Sequence, residues 1–119
     1  MEVQENIIQD KSLQFAVRII KMCRYLRNEK HEYELASQLL RCGTSIGANI
    51  SESKNAQSRN DFINKLNIAL KESDETEYWL KLLYKSEIID DRSFTSMQND
   101  CCEIIRLLTS IIKTSKDVY

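Results

Sequence analysis

The chain holds no proline, and its only two glycines, Gly43 and Gly47, stand four residues apart inside a segment of helical periodicity. That pattern removes most of the fold menu. Proline and glycine punctuate turns and hairpins, and 119 residues with almost none of either are most simply written as long helices with short polar connections. Each glycine in a helix interior costs about 1 kcal/mol relative to alanine. The pair therefore calls for compensation, and close approach of another helix is the usual form of it. Gly-x-x-x-Gly also packs membrane helices, but this segment is too polar to face lipid. A phosphate-binding loop needs another spacing and a strand before it. Gly43 and Gly47 are accordingly read as helix-packing residues.

Hydrophobic periodicity predicts four helices, over 10–28, 33–56, 59–85 and 92–114. The first carries two adjacent apolar stripes, Leu13, Ala16, Ile20 and Cys23 beside Phe15, Ile19, Met22 and Leu26. Together they are wider than one bundle core requires. The second helix presents Leu35, Leu39, Cys42, Ile46 and Ile50, with Ala36, Leu40 and both glycines on its flank. The third presents Phe62, Leu66, Ala69, Leu80 and Tyr84, and its start is marked by Ser58 followed by Asp61. The fourth presents Phe94, Met97, Cys101, Ile105, Leu108 and Ile112, with Ser93 as its cap. Ile104, Leu107 and Ile111 extend its apolar arc sideways, and residues 115–119 are expected to fray. The prediction is a single all-α domain over 1–119, an up-down-up-down antiparallel four-helix bundle.

A net charge of −1 announces neither a nucleic acid nor a membrane as partner. The charge is unevenly placed, however. Residues 1–71 hold 11 basic and 8 acidic side chains, a balance of +3, and residues 72–119 hold 6 and 10, a balance of −4. The four cysteines form no Cys-x-x-Cys pair and His31 is the only histidine, so no metal or cofactor is expected and the thiols read as small apolar core residues. The first residues lack the basic start and apolar run of a signal peptide. No apolar run approaches the roughly 20 residues that span a bilayer. A cytoplasmic location with reduced thiols, no membrane partner and no small-molecule substrate is the expectation.

Candidate functional residues fall into three groups. Lys11, Arg18 and Lys21 share a stripe of the first helix with Tyr25, and Lys54 and Arg59 flank the second connection. Such cations either hold phosphates or form a solvated face. Trp79, with Ile68 and Leu82, lies on the third helix away from its core stripe, where a tryptophan often marks an interface. Asn49, Ser73 and Glu77 fall on or beside core stripes and are read as a buried polar layer that fixes helix register, with a raised-pKa acid as the competing reading of Glu77. Arg27 and His31 are separated by only three residues at a helix end and do not match the Arg-x4–6-His element of helical-bundle ribonucleases. No catalytic residue is assigned.

Gln38-Leu39-Leu40-Arg41, Gly43-Thr44-Ser45-Ile46-Gly47-Ala48-Asn49-Ile50-Ser51-Glu52, Asp61-Phe62, Ile68-Ala69-Leu70-Lys71-Glu72-Ser73 and Glu75-Thr76-Glu77-Tyr78-Trp79-Leu80 together follow one bacterial pattern. The chain resembles the four-helix-bundle proteins of 23S rRNA intervening sequences, a family often labelled ribosomal. The likeness runs from the first helix to the fourth, and residues 45–52 are its specific part. It implies a homo-oligomer, typically a ring of five bundles. It also points to a relative, the accessory variability determinant of diversity-generating retroelements, which binds nucleic acid and a reverse transcriptase through a basic surface. The resemblance thus implies a non-enzymatic oligomeric scaffold that contacts RNA or a reverse-transcriptase-type nucleoprotein; the alternative is a protein–protein interaction module without nucleic acid. The acidic balance of this chain departs from a strongly basic binder.

Overall fold

A computed structural model describes residues 2–117. Four helices follow one another, α1 (Glu2–Asn28), α2 (Tyr33–Ser53), α3 (Arg59–Lys85) and α4 (Asp91–Asp117), in a body of 48 × 22 × 19 Å. Each helix packs on its chain neighbours, and α1 closes the bundle against α4. α1 and α3 therefore sit diagonally opposed, as do α2 and α4. Among the described residues there is no strand, and the expected all-α four-helix bundle is the observed fold.

α1 begins well before the expected residue 10. Ile8 is fully buried and continues the core series Ser12, Phe15, Ile19, Cys23 and Leu26 one turn upstream. The core thus selects the Phe15 stripe but takes Cys23 from the other one and leaves Met22 at its edge. Leu13 and Ile20, on the other stripe, stay exposed, while Ala16 and Met22 are half-buried. Gly43 decides the matter. A Cβ built on it would lie 2.8–2.9 Å from three side-chain carbons of Ile19, so the missing side chain is what lets Ile19 press on α2. Gly47 faces Ser12 less tightly, with the nearest atom 3.4 Å from the same imagined carbon.

α2 ends at Ser53 rather than 56. Lys54, Asn55 and Ala56 donate to Ser51, Glu52 and Ser53, three residues back, so the last turn tightens out of the α-helical pattern. α3 has the expected limits. Ser58 Oγ accepts from Asp61 N at 3.0 Å, and Asp61 reaches back to Gln57 N. The cap of α4 is Asp90, not Ser93: Asp90 Oδ1 accepts the Ser93 amide at 2.7 Å. That amide and the Ser93 hydroxyl hold the Asp90 carboxyl below its usual range. α4 also outruns the expected end and runs to Asp117, with Ser115 of its final turn completely buried; residues 118 and 119 of the expected frayed tail lie outside the described residues. Ile104 and Ile111 go into the core and Leu107 is half-buried, so the side arc of α4 is consumed by the bundle.

Two connections use left-handed residues other than glycine, His31 (φ 57°) and Glu87 (φ 63°). After α3, Glu87 N donates to Tyr84 O and Ile88 N to Leu83 O, which closes the helix end as a Schellman motif with Glu87 at the position glycine usually holds.

Candidate functional surface

The basic stripe of α1 does not stand free. Lys11 pairs with Glu103 at 3.1 Å, and Arg18 pairs with Asp100 while its second Nη donates to Ser96 Oγ at 2.7 Å. Both acids belong to α4, so two of the candidate cations stitch the α1–α4 seam. Lys21 and Lys54 are exposed and have no ion-pair partner among the described residues. Lys54 and Arg59 line the rim of a cavity of about 330 Å³ at the α2–α3 end, floored by Ile8, Ile50, Phe62 and Leu66. The five candidates thus divide between a seam, an exposed helix position and one end of the bundle.

The polar residues near the core each find local partners. Asn49 Nδ2 donates to Ser45 O at 2.9 Å and to Ser45 Oγ at 3.1 Å, all within α2. Ser73 Oγ donates to Ala69 O at 2.8 Å within α3. Glu77 accepts from Cys102 Sγ at 3.3 Å and pairs with Lys81. These bonds satisfy each group in place rather than tying the three into one layer. Arg41 of α2 bonds Glu72 and Glu75 of α3, which joins those helices across their outer edge. Cys23 and Cys42 are pushed up to about 11, and Cys101 to about 12, chiefly by burial, so they are poor nucleophiles. Arg27 donates to Ser37 Oγ, and His31 Nδ1 contacts Tyr33 Oη at 3.2 Å; the two are turned to different partners. Among the described residues no group of His, Cys, Asp or Glu is arranged to hold a metal ion, and no helix is long and apolar enough to cross a membrane.

What the fold leaves unsatisfied is apolar. Val3 (70% exposed), Ile7, Leu13 (67%), Val17 and Ile20 run along the outer side of α1. Beside Leu13 opens a groove of about 390 Å³ between α1 and α2, floored by Ala16, Gly47 and Ala48. On α3, Ile68 and Tyr78 are exposed (42% and 58%). Trp79 and Leu82 are only half-buried, and Trp79 packs against the core with Tyr78 edge-on at 5.3 Å. The Trp79 indole Nε1 is buried without an acceptor among the described residues. Tyr78, rather than Trp79, therefore presents the aromatic face. Sequence reasoning missed Val3, Ile7, Val17 and Tyr78. Leu13, Val17 and Ile20 recur at i, i+4 and i+7, so a wheel drawn around Phe15 and Ile19 would have isolated them.

Comparison with known proteins agrees with this architecture. Residues 4–110 match the family of 23S rRNA-intervening sequence proteins. A crystal structure of a protein of unknown function from the S23 ribosomal protein family of Bacteroides thetaiotaomicron VPI-5482 is 57% identical, with a TM-score of 0.91 over 92% of this chain and 98% of that one. No curated protein matches. A family match over that span, on a bundle of this form, makes the chain a member of the 23S rRNA-intervening sequence protein family.

Proposed function

We propose that this chain is a non-enzymatic helical scaffold that assembles with copies of itself through the outer face of α1. The observation that carries the reading is the strip Val3, Ile7, Leu13, Val17 and Ile20, five large aliphatic side chains left in water on one helix. Single exposed apolar residues are ordinary, but five on one helix, with Leu13, Val17 and Ile20 grouped at i, i+4 and i+7, are more than a scatter and mark an interaction surface. The absence of a catalytic role rests on the separate engagement of Arg27 and His31 and on the burial of three of the four thiols. The ring of five implied by the family resemblance is compatible with this reading, which requires only that the strip be covered. Light scattering is the test. Leu13→Glu should lower the measured mass while helicity by circular dichroism is kept, and a parent chain that runs as a 13.9 kDa monomer at tens of micromolar refutes the assembly.

The RNA or nucleoprotein contact belongs to the same proposal and falls to cations that α4 does not answer. Lys21 and Lys54 are exposed and without an ion-pair partner among the described residues, whereas Lys11 and Arg18 are committed to the seam. Phosphate contacts weaken steeply with salt. Lys21→Glu with Lys54→Glu should weaken RNA retention at low salt and flatten its salt dependence; unchanged affinity would favour the protein–protein module without nucleic acid.

A further inference from the structure

We infer that the cavity at the α2–α3 end of the bundle binds a free apolar amino acid, its side chain on the buried floor and its two charged groups at the mouth. Neither assembly nor RNA contact is needed for this. Residues from all four helices converge on the cavity, and their character changes with depth. Ile8, Ile50, Leu66 and Ile111 line it and are at most 2% exposed, with the half-buried Phe62 beside them. The cleft thus reaches the hydrophobic core itself. Because α2 stops at Ser53, the connection contributes Lys54, Ala56 and Ser58 as one lip. A volume of about 330 Å³ is that of a small ligand pocket, and an apolar void of about 150 Å³ already holds a benzene ring. One aromatic or branched aliphatic side chain fits, together with the backbone atoms of its amino acid.

The lining carries both signs of charge, on different elements. Glu5 of α1 is half-buried and Lys54, just past α2, is exposed. Neither has an ion-pair partner among the described residues, so they share the cavity without pairing across it. Arg59 places a second cation on the α3 side. The acids of α2 and α3 at this end are engaged elsewhere, Glu52 by Lys65 and Asp61 by the Gln57 amide. Asp10, Lys113, Lys116 and Asp117 are exposed and do not line the cavity. A simple anion would meet Glu5, and a simple cation would meet Lys54. A ligand with an ammonium and a carboxylate on one carbon answers both, and its apolar side chain gains from leaving water for the floor. Gln9 and Ser58 add neutral hydrogen-bonding groups to the same lining.

The test titrates the isotope-labelled whole chain with L-phenylalanine and with two probes that each lack one charge, phenylpropionate and phenylethylamine, followed by heteronuclear NMR. L-Phenylalanine should bind in the millimolar range or tighter and shift the amides of Ile50, Lys54 and Phe62. It should bind roughly tenfold tighter than either probe, the size of one lost charge-assisted contact. Glu5→Gln should remove its advantage over phenylpropionate, and Lys54→Gln its advantage over phenylethylamine. Neither position is fully buried, so both variants should keep their helicity. Ala56→Trp, which fills the mouth, should abolish binding of all three; if it lowers helicity, the two charge variants decide alone. Absence of shifts with L-phenylalanine at millimolar concentration overturns the inference. Equal affinity for phenylpropionate overturns it too, because Glu5 would then have nothing to answer. Shifts confined to Leu13, Val17 and Ile20 would put the ring on the exposed strip of α1 and overturn it as well.

Discussion

The two glycines should respond to alanine with opposite sign, although both lie on α2 against α1. Exchanging a helical glycine for alanine gains about 1 kcal/mol from backbone propensity alone. At Gly47 the added methyl would lie 3.4 Å from Ser12 Oγ and 3.5 Å from Ser12 O, ordinary contact distances, so Gly47→Ala should keep most of that gain. At Gly43 the methyl would lie 2.8 Å from Ile19 Cγ1 and 2.9 Å from both Cδ1 and Cγ2. Ile19 is fully buried, and its β-branched χ1 has one strongly preferred setting in a helix. Because atoms on both branches are struck, no single rotation of its tip clears the clash. Overpacking of this kind costs roughly 1–3 kcal/mol, so Gly43→Ala should be net destabilising by about 1 kcal/mol. Urea unfolding followed by circular dichroism at fixed protein concentration reads both values. The decisive measurement is the cycle with Ile19→Ala. That change alone should cost about 2–5 kcal/mol, yet in its background Gly43→Ala should turn stabilising, because the atoms it strikes are gone. In the chain that keeps Ile19, a Gly43→Ala variant more stable than the parent would refute the packing argument.

Other outcomes follow from the connections and the thiols. Glu87→Gly should raise stability by about 0.5–1 kcal/mol in urea unfolding, since a left-handed position costs a side-chain-bearing residue more than glycine; a loss would mean that the Glu87 side chain contributes a stabilising contact. The Asp90 carboxyl is held low by the Ser93 amide and hydroxyl, so its contribution is present above the ordinary value of 3.8 and is lost as pH falls through the lower folded value. Asp90→Asn should therefore flatten the acid limb of the stability curve. Cys23, Cys42 and Cys101 are raised by burial to about 11, 11 and 12, so their contribution is complete below the ordinary thiol value of 9.0 and fades as pH climbs toward the folded values. At neutral pH native protein should label with a thiol reagent at Cys102 alone, and at all four positions in urea, with mass spectrometry as the readout.

The limits of α3 were legible because they are set locally. Ser58 and Asp61 form their cap within four residues, and nothing distant is needed to start the helix there. The start of α1 was not legible, because Ile8 is the one core residue upstream of residue 10 and its burial depends on the far end of the bundle, where Ile50, Phe62 and Ile111 line the same cavity. The choice between the two apolar stripes of α1 was equally hidden. Both have helical spacing, and what selects Phe15 and Ile19 is the gap left by Gly43 on another helix. The glycine pair announced a close approach without saying which face of which helix would make it.

The same logic separates the two readings of α1 as a surface. Taken alone, a helix with five cations and no acid over eighteen residues is a phosphate surface. In the bundle, Glu103 and Asp100 stand more than eighty positions away in sequence from Lys11 and Arg18 and yet neutralise them. These pairs are about half exposed and are worth little in stability, but they remove two charges from any long-range attraction of a polyanion. No corresponding partner reaches Leu13, Val17 or Ile20, because α2 and α4 have already spent their apolar side chains on the core. Leu13, Val17 and Ile20 therefore stay exposed after folding while the basic stripe is cut down, and this asymmetry is why we propose self-assembly ahead of nucleic-acid binding.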